Sequence, residues 1–121
     1  MQSKESLIDE KLEALAKSKF RSSFKLRQKD KDYVLAKGID TIREHAVKFV
    51  NNRWVNKLLN DGKQTPMRGH PVFIAQHATA TCCRGCIEKW YRISQERALK
   101  IDEIEFIIEI IMEWIKRQIS A

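Results

Sequence analysis

The sequence predicts an all-α fold, a small bundle of about five or six helices in a single domain spanning residues 1–121. No segment shows the sustained alternation of apolar and polar residues that is typical of a strand. The chain contains only four glycines and two prolines, so few positions would break a helix. Several segments instead repeat apolar residues at intervals of three or four, which is the spacing of one helix face.

The first two predicted helices lie in the basic half of the chain. Residues 1–16 read as an amphipathic helix, because apolar residues recur at helical spacing and acidic residues come early in it. A basic connector, KSKFRSSFKL (residues 17–26), follows. A short helix then opens near Asp30 and closes at Gly38, since glycine is a typical helix end.

The middle of the chain predicts one long helix, a loop and two short helices. Asp40 opens the long helix, and residues 60–69 form a loop that contains proline and glycine. Pro71 suits the first position of a short helix entered at His70, and another short helix begins around Cys83. The long helix carries an apolar stripe of Ile42, Ala46, Phe49, Val50 and Trp54.

The last predicted helix, residues 102–119, opens with acidic residues and closes with basic ones, in accord with the helix dipole. Before it, residues 94–100 (SQERALK) read either as a turn of helix capped by Ser94 or as a connector. Two apolar faces make the last helix either the centre of the core or a helix with one face on a partner subunit, which would give a homodimer. The two stripes are Ile104, Ile108, Ile111 and Ile115, and Phe106, Ile110 and Trp114.

Composition excludes several classes of protein. The N-terminal residues carry charges throughout and lack the apolar core of a signal peptide. Five charged residues interrupt the apolar stretch 104–119, so no membrane span is predicted. Three cysteines within five residues do not resemble a disulfide framework. We therefore expect a cytoplasmic protein in a reducing compartment.

The positive charge is confined to the first half of the chain. Residues 1–69 carry 16 lysines and arginines against 9 acidic residues, whereas residues 70–121 carry 7 of each. Such a surface attracts polyanions, of which nucleic acid is the commonest, and the alternative is a solvated basic surface that only aids solubility. No known nucleic-acid motif is present, so contact would run through phosphates. The candidate anion-binding residues are Lys25, Arg27, Lys63, Arg68 and Arg84.

The segment 60–91 holds all the cysteines of the chain and two of its three histidines. Cys83 and Cys86 form a C-x-x-C pair, whose spacing lets two sulfurs face one cation. A bend at residues 79–81 would bring His77 to them, and we expect a zinc-like site on these three residues. The fourth donor is open between Cys82 and His70, the latter about 10 Å from His77 along a regular helix.

Other cysteine and histidine chemistries fail on spacing. A zinc deaminase needs a glutamate two residues after its histidine, whereas Thr79 stands there. Covalent haem attachment needs a histidine after the second cysteine, whereas Ile87 follows Cys86. A four-cysteine iron–sulfur cluster would need a fourth cysteine from this chain.

Two further hypotheses for this segment stay open. One is an enzyme with thiol redox or hydrolytic chemistry, in which His70, His77 and a cysteine act as base and nucleophile. Arg68 and Arg84 would then hold an anionic group. The other is an interaction module, in which the cysteines pack as small apolar side chains in a helix bundle. His45 reads as a surface or boundary residue.

Residues 60–90, NDGKQTPMRGHPVFIAQHATATCCRGCIEKW, together with KSKFRSSFKL upstream, resemble an uncharacterised bacterial family known only as a domain of unknown function. The resemblance implies a small cytoplasmic protein and supplies no activity. It also implies that a histidine often follows the tryptophan, whereas Tyr91 stands there. The preferred interpretation is a metal-binding helical domain that also binds nucleic acid through its phosphates.

Overall fold

A computed structural model describes residues 3–54 and 65–120. The all-α prediction is confirmed, because these residues form seven helices and no strand. The described part of the chain has more helices than predicted because the connector at residues 17–26 contains a one-turn helix, α2. The helices are α1 (Lys4–Ala16), α2 (Lys19–Ser22), α3 (Gln28–Lys37), α4 (Ile39–Trp54), α5 (Pro71–Ala78), α6 (Arg84–Tyr91) and α7 (Ile101–Ser120).

Side-chain caps set the starts of the early helices. The Ser3 hydroxyl accepts a hydrogen bond from the Ser6 amide at 3.1 Å, and the Ser18 hydroxyl starts α2 in the same way. The third helix begins two residues before Asp30, whose carboxylate accepts from the Arg27 amide at 3.1 Å. Its end is where the sequence predicts it, at Gly38 with a φ of +90°.

The two short helices after the loop are also set by local chemistry. His70 caps α5, because its Nδ1 accepts from the Val72 amide at 3.0 Å while Pro71 takes the first helical position. Cys83 caps the start of α6, and Arg92, which follows its last residue, caps the end in the left-handed region with a φ of 58°. Residues 92–100 contain no helix. Of the two structures predicted for residues 94–100, a capped turn of helix or a connector, the connector is therefore correct.

The last helix occupies the centre of the structure, and both of its apolar stripes contact other helices of the chain. One side packs against α4 and α5, with Ile107, Ile111 and Ile115 fully buried. The other side packs against α1, where Ile110 meets Leu12. Ile110 is therefore part of the internal core, whereas Phe106 and Trp114 of the same stripe pack beside it and are half-buried. A homodimer through this helix stays a prediction. No described helix is long and apolar enough to cross a membrane.

This packing places the turn between α5 and α6 beside α1 and α2, with both short helices anchored in the core. Ala75 and Ile87 are fully buried, one on each side of that turn. Three predictions fall outside the described residues, namely the side chain of Trp54, the first half of the loop predicted over residues 60–69 and the cation Lys63.

Candidate metal centre

Three sulfur atoms meet at the start of α6. The Sγ atoms of Cys82, Cys83 and Cys86 all lie within 4.8 Å of one another. The arrangement follows from helix capping, since the Cys83 side chain folds back over the first turn and its Sγ accepts from the Cys86 amide at 3.4 Å. Cys82 is buried, whereas Cys83 and Cys86 are partly exposed.

The turn before the cluster is fixed by buried hydrogen bonds. The Thr81 amide donates to the carbonyl of Gln76 at 2.8 Å, and Ala80 takes the left-handed conformation with a φ of 60°. The Thr65 hydroxyl donates to the Cys82 carbonyl at 2.6 Å, which ties the turn to a segment 17 residues earlier. Tyr91 supports the same turn, because its hydroxyl donates to the Thr79 carbonyl. The backbone that carries the sulfurs is therefore held from several sides.

Arg21 from α2 reaches into the cluster. Its side chain is only 8% exposed, and its guanidinium donates to the carbonyl of His77 at 2.7 Å. It also donates to the Cys86 Sγ at 3.0 Å and contacts the Cys82 Sγ at 3.6 Å. Burial lowers the pKa of Arg21, but the hydrogen bonds with Cys82 and Cys86 raise it by more, so the pKa ends above its ordinary value.

Arg21 is a buried cation, and its surroundings determine which groups can balance its charge. A buried guanidinium needs an anionic partner, because removing a charge from water is costly without one. No carboxylate of the described residues lies within salt-bridge distance of Arg21. Among its hydrogen-bond partners only the sulfurs of Cys82 and Cys86 are able to carry a negative charge. Arg21 therefore places its positive charge against two of the three sulfurs that converge at this site.

The spacing of the sulfurs suits a thiophilic cation. Zn–S bonds are about 2.3 Å long, so two sulfurs on one tetrahedral zinc are about 3.8 Å apart. The cysteine triad meets this with small movements, since no pair exceeds 4.8 Å. Three thiolates on a divalent cation would leave one negative charge, and the Arg21 guanidinium lies where it would balance that charge.

His77, which the sequence predicts as a ligand, lies outside the group of converging donors. Its Nε2 is 3.0 Å from the Thr65 carbonyl, and since a carbonyl only accepts, this nitrogen carries the proton. The ring stacks on Phe24, with 5.3 Å between ring centroids. His77 therefore packs in the interior and positions Thr65, which in turn holds the Cys82 carbonyl.

His70, the other histidine proposed as a donor, pairs with His45. Its Nδ1 accepts from Val72, so the neutral ring carries its proton on Nε2, which lies 3.0 Å from the His45 Nδ1. Burial and the neighbouring His45 lower the pKa of His70 to about 4, while Asp30 opposes this shift. Both ring nitrogens are engaged away from the sulfurs.

The predicted anion-binding residues separate into two places. Lys25, Arg27 and Arg68 line one cleft, together with His70. Arg84 lies elsewhere and donates to the Ser94 carbonyl at 2.6 Å. Burial, then repulsion from the cation of Arg97, lowers the pKa of Arg84. The enzyme hypothesis required Arg68 and Arg84 beside one cysteine–histidine pocket, and the structure does not bring them together.

Sequence reasoning missed Arg21 and Thr65. Arg21 belongs to a run of cations in which nothing local distinguishes it from its neighbours. Thr65 follows the predicted loop and carries no motif. The one usable signal was the pair of phenylalanines flanking Arg21, because Phe24 packs on His77 and brings α2 to the turn. Cys82 had been assigned only as a substitute donor, and it is a full member of the cluster.

The fold and the site define a small all-α domain with a cluster of three cysteines that can hold a metal ion. The chain belongs to the family described as domain of unknown function DUF4186, whose family model matches residues 9–116. The resemblance found in the sequence is thereby confirmed at the level of the family. No solved structure matches the chain.

Proposed function

We propose that the protein is a metal-binding domain that holds one thiophilic cation, with Zn²⁺ the first candidate, on Cys82, Cys83 and Cys86. The observation that carries this proposal is the convergence of three sulfur atoms within 4.8 Å. Thiolate sulfur selects zinc and other soft cations over magnesium or calcium. A cluster built only to fill space would not need a guanidinium at 3.0 Å from one of its sulfurs.

Arg21 supports the same proposal as an outer partner of the metal. Ligands of a protein-bound metal commonly accept or donate further hydrogen bonds, which orient them and balance their charge. Here the guanidinium donates to two of the three sulfurs and to the carbonyl of His77. One side chain thus joins the metal ligands to α5 and α2, so loading of the metal would stabilise the whole turn.

The fourth coordination position is left open by the described residues. Among the described residues, no histidine, no carboxylate and no further cysteine joins the three sulfurs as a fourth donor. Cys83 and Cys86 are partly exposed, so a water molecule or an external ligand has access to the metal. Zinc sites with three protein ligands and one exchangeable position are typical of sites that bind or activate a further molecule.

The test is metal content and cobalt substitution in the full-length protein. Purified under reducing conditions and loaded with Zn²⁺, the protein should retain about one equivalent after gel filtration. Co²⁺ in place of zinc should give the intense near-ultraviolet band of thiolate coordination. Less than about a tenth of an equivalent under these conditions would overturn the proposal.

Two variants make the test specific. Cys86→Ser removes one sulfur and should lose most of the bound metal and the cobalt band. Gly85→Ala is the matched control on the same helix turn, because its new methyl group would lie 3.9 Å from the Cys83 Sγ, an ordinary contact. Gly85→Ala should bind as the unchanged protein does, and equal loss in both variants would point to misfolding in place of ligand removal.

A second candidate function, thiol chemistry, is favoured by the contact between Arg21 and Cys86. A nucleophilic cysteine is commonly found beside a cation, and Cys86 is partly exposed. If this candidate is correct, iodoacetamide should modify Cys86 in the metal-free protein much faster than Cys82. Equal slow modification of all three cysteines would remove it.

Nucleic-acid binding gains no support from the arrangement of the predicted cations. Three of the five share a cleft, Arg84 bonds to a carbonyl elsewhere, and Lys63 lies outside the described residues. A continuous basic track for several phosphates is not formed by these residues. The cleft itself points to a smaller ligand.

A further inference from the structure

We infer that the cleft between residues 23–30 and residues 67–71 is a binding site for a small phosphate-bearing ligand with a planar ring system, of the mononucleotide class. The cleft has a volume of about 930 Å³, which is within the range of pockets for ligands of this size. The cysteine triad takes no part in this site, and the inference stands independently of the metal proposal.

Four cations surround the cleft. Lys25, Arg27 and Lys29 come from one side, and Arg68 comes from the segment before α5. None of the four forms an ion pair with a carboxylate among the described residues. Several cations without a carboxylate partner around one concave site raise the local positive potential, which attracts an anion. A phosphate group supplies that anion.

A single carboxylate, that of Asp30, also lines the cleft. Asp30 is buried, and its Oδ2 accepts from the Arg27 amide at 3.1 Å, which places it in the first turn of α3. This carboxylate stabilises the start of α3, and its charge offsets only one of the four cations. The cleft keeps a net positive charge without any contribution from histidine.

The remaining wall of the cleft is apolar and partly aromatic. Such a surface favours a ligand that carries a planar ring system beside its phosphate, and the flat face of a nucleotide base packs on side chains of this kind. Met67 is 54% exposed, a large fraction for a methionine, and its flexible side chain suits contact with a planar ligand. The wall is formed by Phe24, Tyr33, Met67, Pro71 and Ile74.

His70 forms part of the wall and is not available as a base. Its Nδ1 accepts from the Val72 amide, and its Nε2 faces His45 at 3.0 Å. A ring with both nitrogens engaged contributes an edge to the cleft, and its contact with Tyr33 is edge-on, with centroids 5.4 Å apart. We therefore interpret the cleft as a binding site in which His70 does not transfer a proton.

Isothermal titration of the full-length protein with ADP tests the inference. We expect ADP to bind in moderate salt and inorganic phosphate to bind more weakly, because phosphate lacks the ring system. The double variant Arg27→Gln with Arg68→Gln should weaken ADP binding by at least about tenfold. The matched control, Lys48→Gln with Lys89→Gln, removes the same charge from exposed positions outside the cleft and should change it little.

Two outcomes would overturn the inference. Absence of ADP binding is one, provided that thermal unfolding shows the protein to be folded. The other is binding of a 20-nucleotide DNA strand in preference to ADP, with an equal loss in the cleft variant and the control variant. That result would assign the positive surface to nucleic acid and would make the cleft incidental.

Discussion

The cysteine cluster and the basic cleft lie on neighbouring elements but are built in opposite ways. In the cluster, Arg21 is 8% exposed and each of its described partners is fixed by a hydrogen bond. In the cleft, Arg27 and Arg68 are exposed and form no described ion pair. Burial makes the charge of Arg21 part of the fold, whereas the charges of the cleft are free to serve a ligand. Substitutions should therefore separate stability from binding in the cleft and not in the cluster.

The largest effect is expected from Arg21→Leu. This change removes the guanidinium donor from two sulfurs and from the His77 carbonyl, which keeps only the Ala80 amide at 3.3 Å, and it should lower the free energy of unfolding by about 3 kcal/mol. Urea unfolding of the metal-free protein under reducing conditions measures it. Arg27→Leu, a change of the same type in the cleft, should shift stability by less than about 0.5 kcal/mol. Equal losses in the two variants would end the distinction between the regions.

His77→Phe comes next. The phenyl ring keeps the stacking on Phe24 but removes the donor to the Thr65 carbonyl, which would be left buried without a partner. We expect a loss of about 2 kcal/mol in urea unfolding. Metal stoichiometry should remain at about one equivalent, since the ring is not among the converging donors. Loss of the metal with unchanged stability would make His77 a ligand after all.

Lowering the pH should reduce the stability of the folded protein through His70, which lines the cleft. Its pKa is lowered to about 4 in the folded protein, from an ordinary value of 6.5. Because the unfolded chain takes up this proton first, the stability that the neutral ring provides is present above pH 6.5. That stability falls as the pH drops from 6.5 towards 4, by up to about 1.4 kcal/mol per pH unit.

His70→Asn is the control for this pH dependence. Asparagine keeps an oxygen at the cap of α5 to accept from Val72, but it does not titrate. The variant should lose stability less steeply over this interval, measured by urea unfolding at a series of pH values. Glu103, whose pKa is lowered to about 2 mainly by its hydrogen bond with Arg97, contributes a loss of stability from its ordinary value of 4.5 downwards and is common to both proteins. Parallel pH profiles would contradict the assignment.

The smallest effect is expected from Lys29→Gln. The side chain is exposed and has no described ion pair, so the free energy of unfolding should stay within about 0.5 kcal/mol of its original value. Thermal unfolding checks this, and ADP titration should show a modest loss of affinity in the same variant. A clear gain in stability would show that repulsion among the cleft cations is already costly without a ligand.

The helices could be predicted because periodicity and capping are local properties. Gly38, Pro71 and the two stripes of the last helix mark elements that the structure contains. The C-x-x-C pair is likewise local, since the cap position of Cys83 brings its sulfur over Cys86. What the sequence could not show is which cation of a basic run is buried. Arg21 differs from its neighbours only through tertiary packing.

Long-range orientation determines which of the predicted donors converge. Spacing predicts His77 as a ligand and Cys82 only as an alternative for the fourth donor, whereas in the structure the left-handed Ala80 turns the backbone so that Cys82 joins the cluster and His77 faces Thr65. A non-glycine residue with positive φ is uncommon and leaves no sequence signal. The convergence of Arg27 and Arg68 also depends on how two segments pack, which charge counting does not reveal.

The central claim is that three cysteines bind one metal, and X-ray absorption at the zinc edge of the loaded protein tests it most directly. We expect three sulfur atoms at about 2.3 Å from zinc and one further ligand, with Cys86→Ser reducing the sulfur count. A shell made only of nitrogen and oxygen, or a sulfur count unchanged in Cys86→Ser, would contradict the claim.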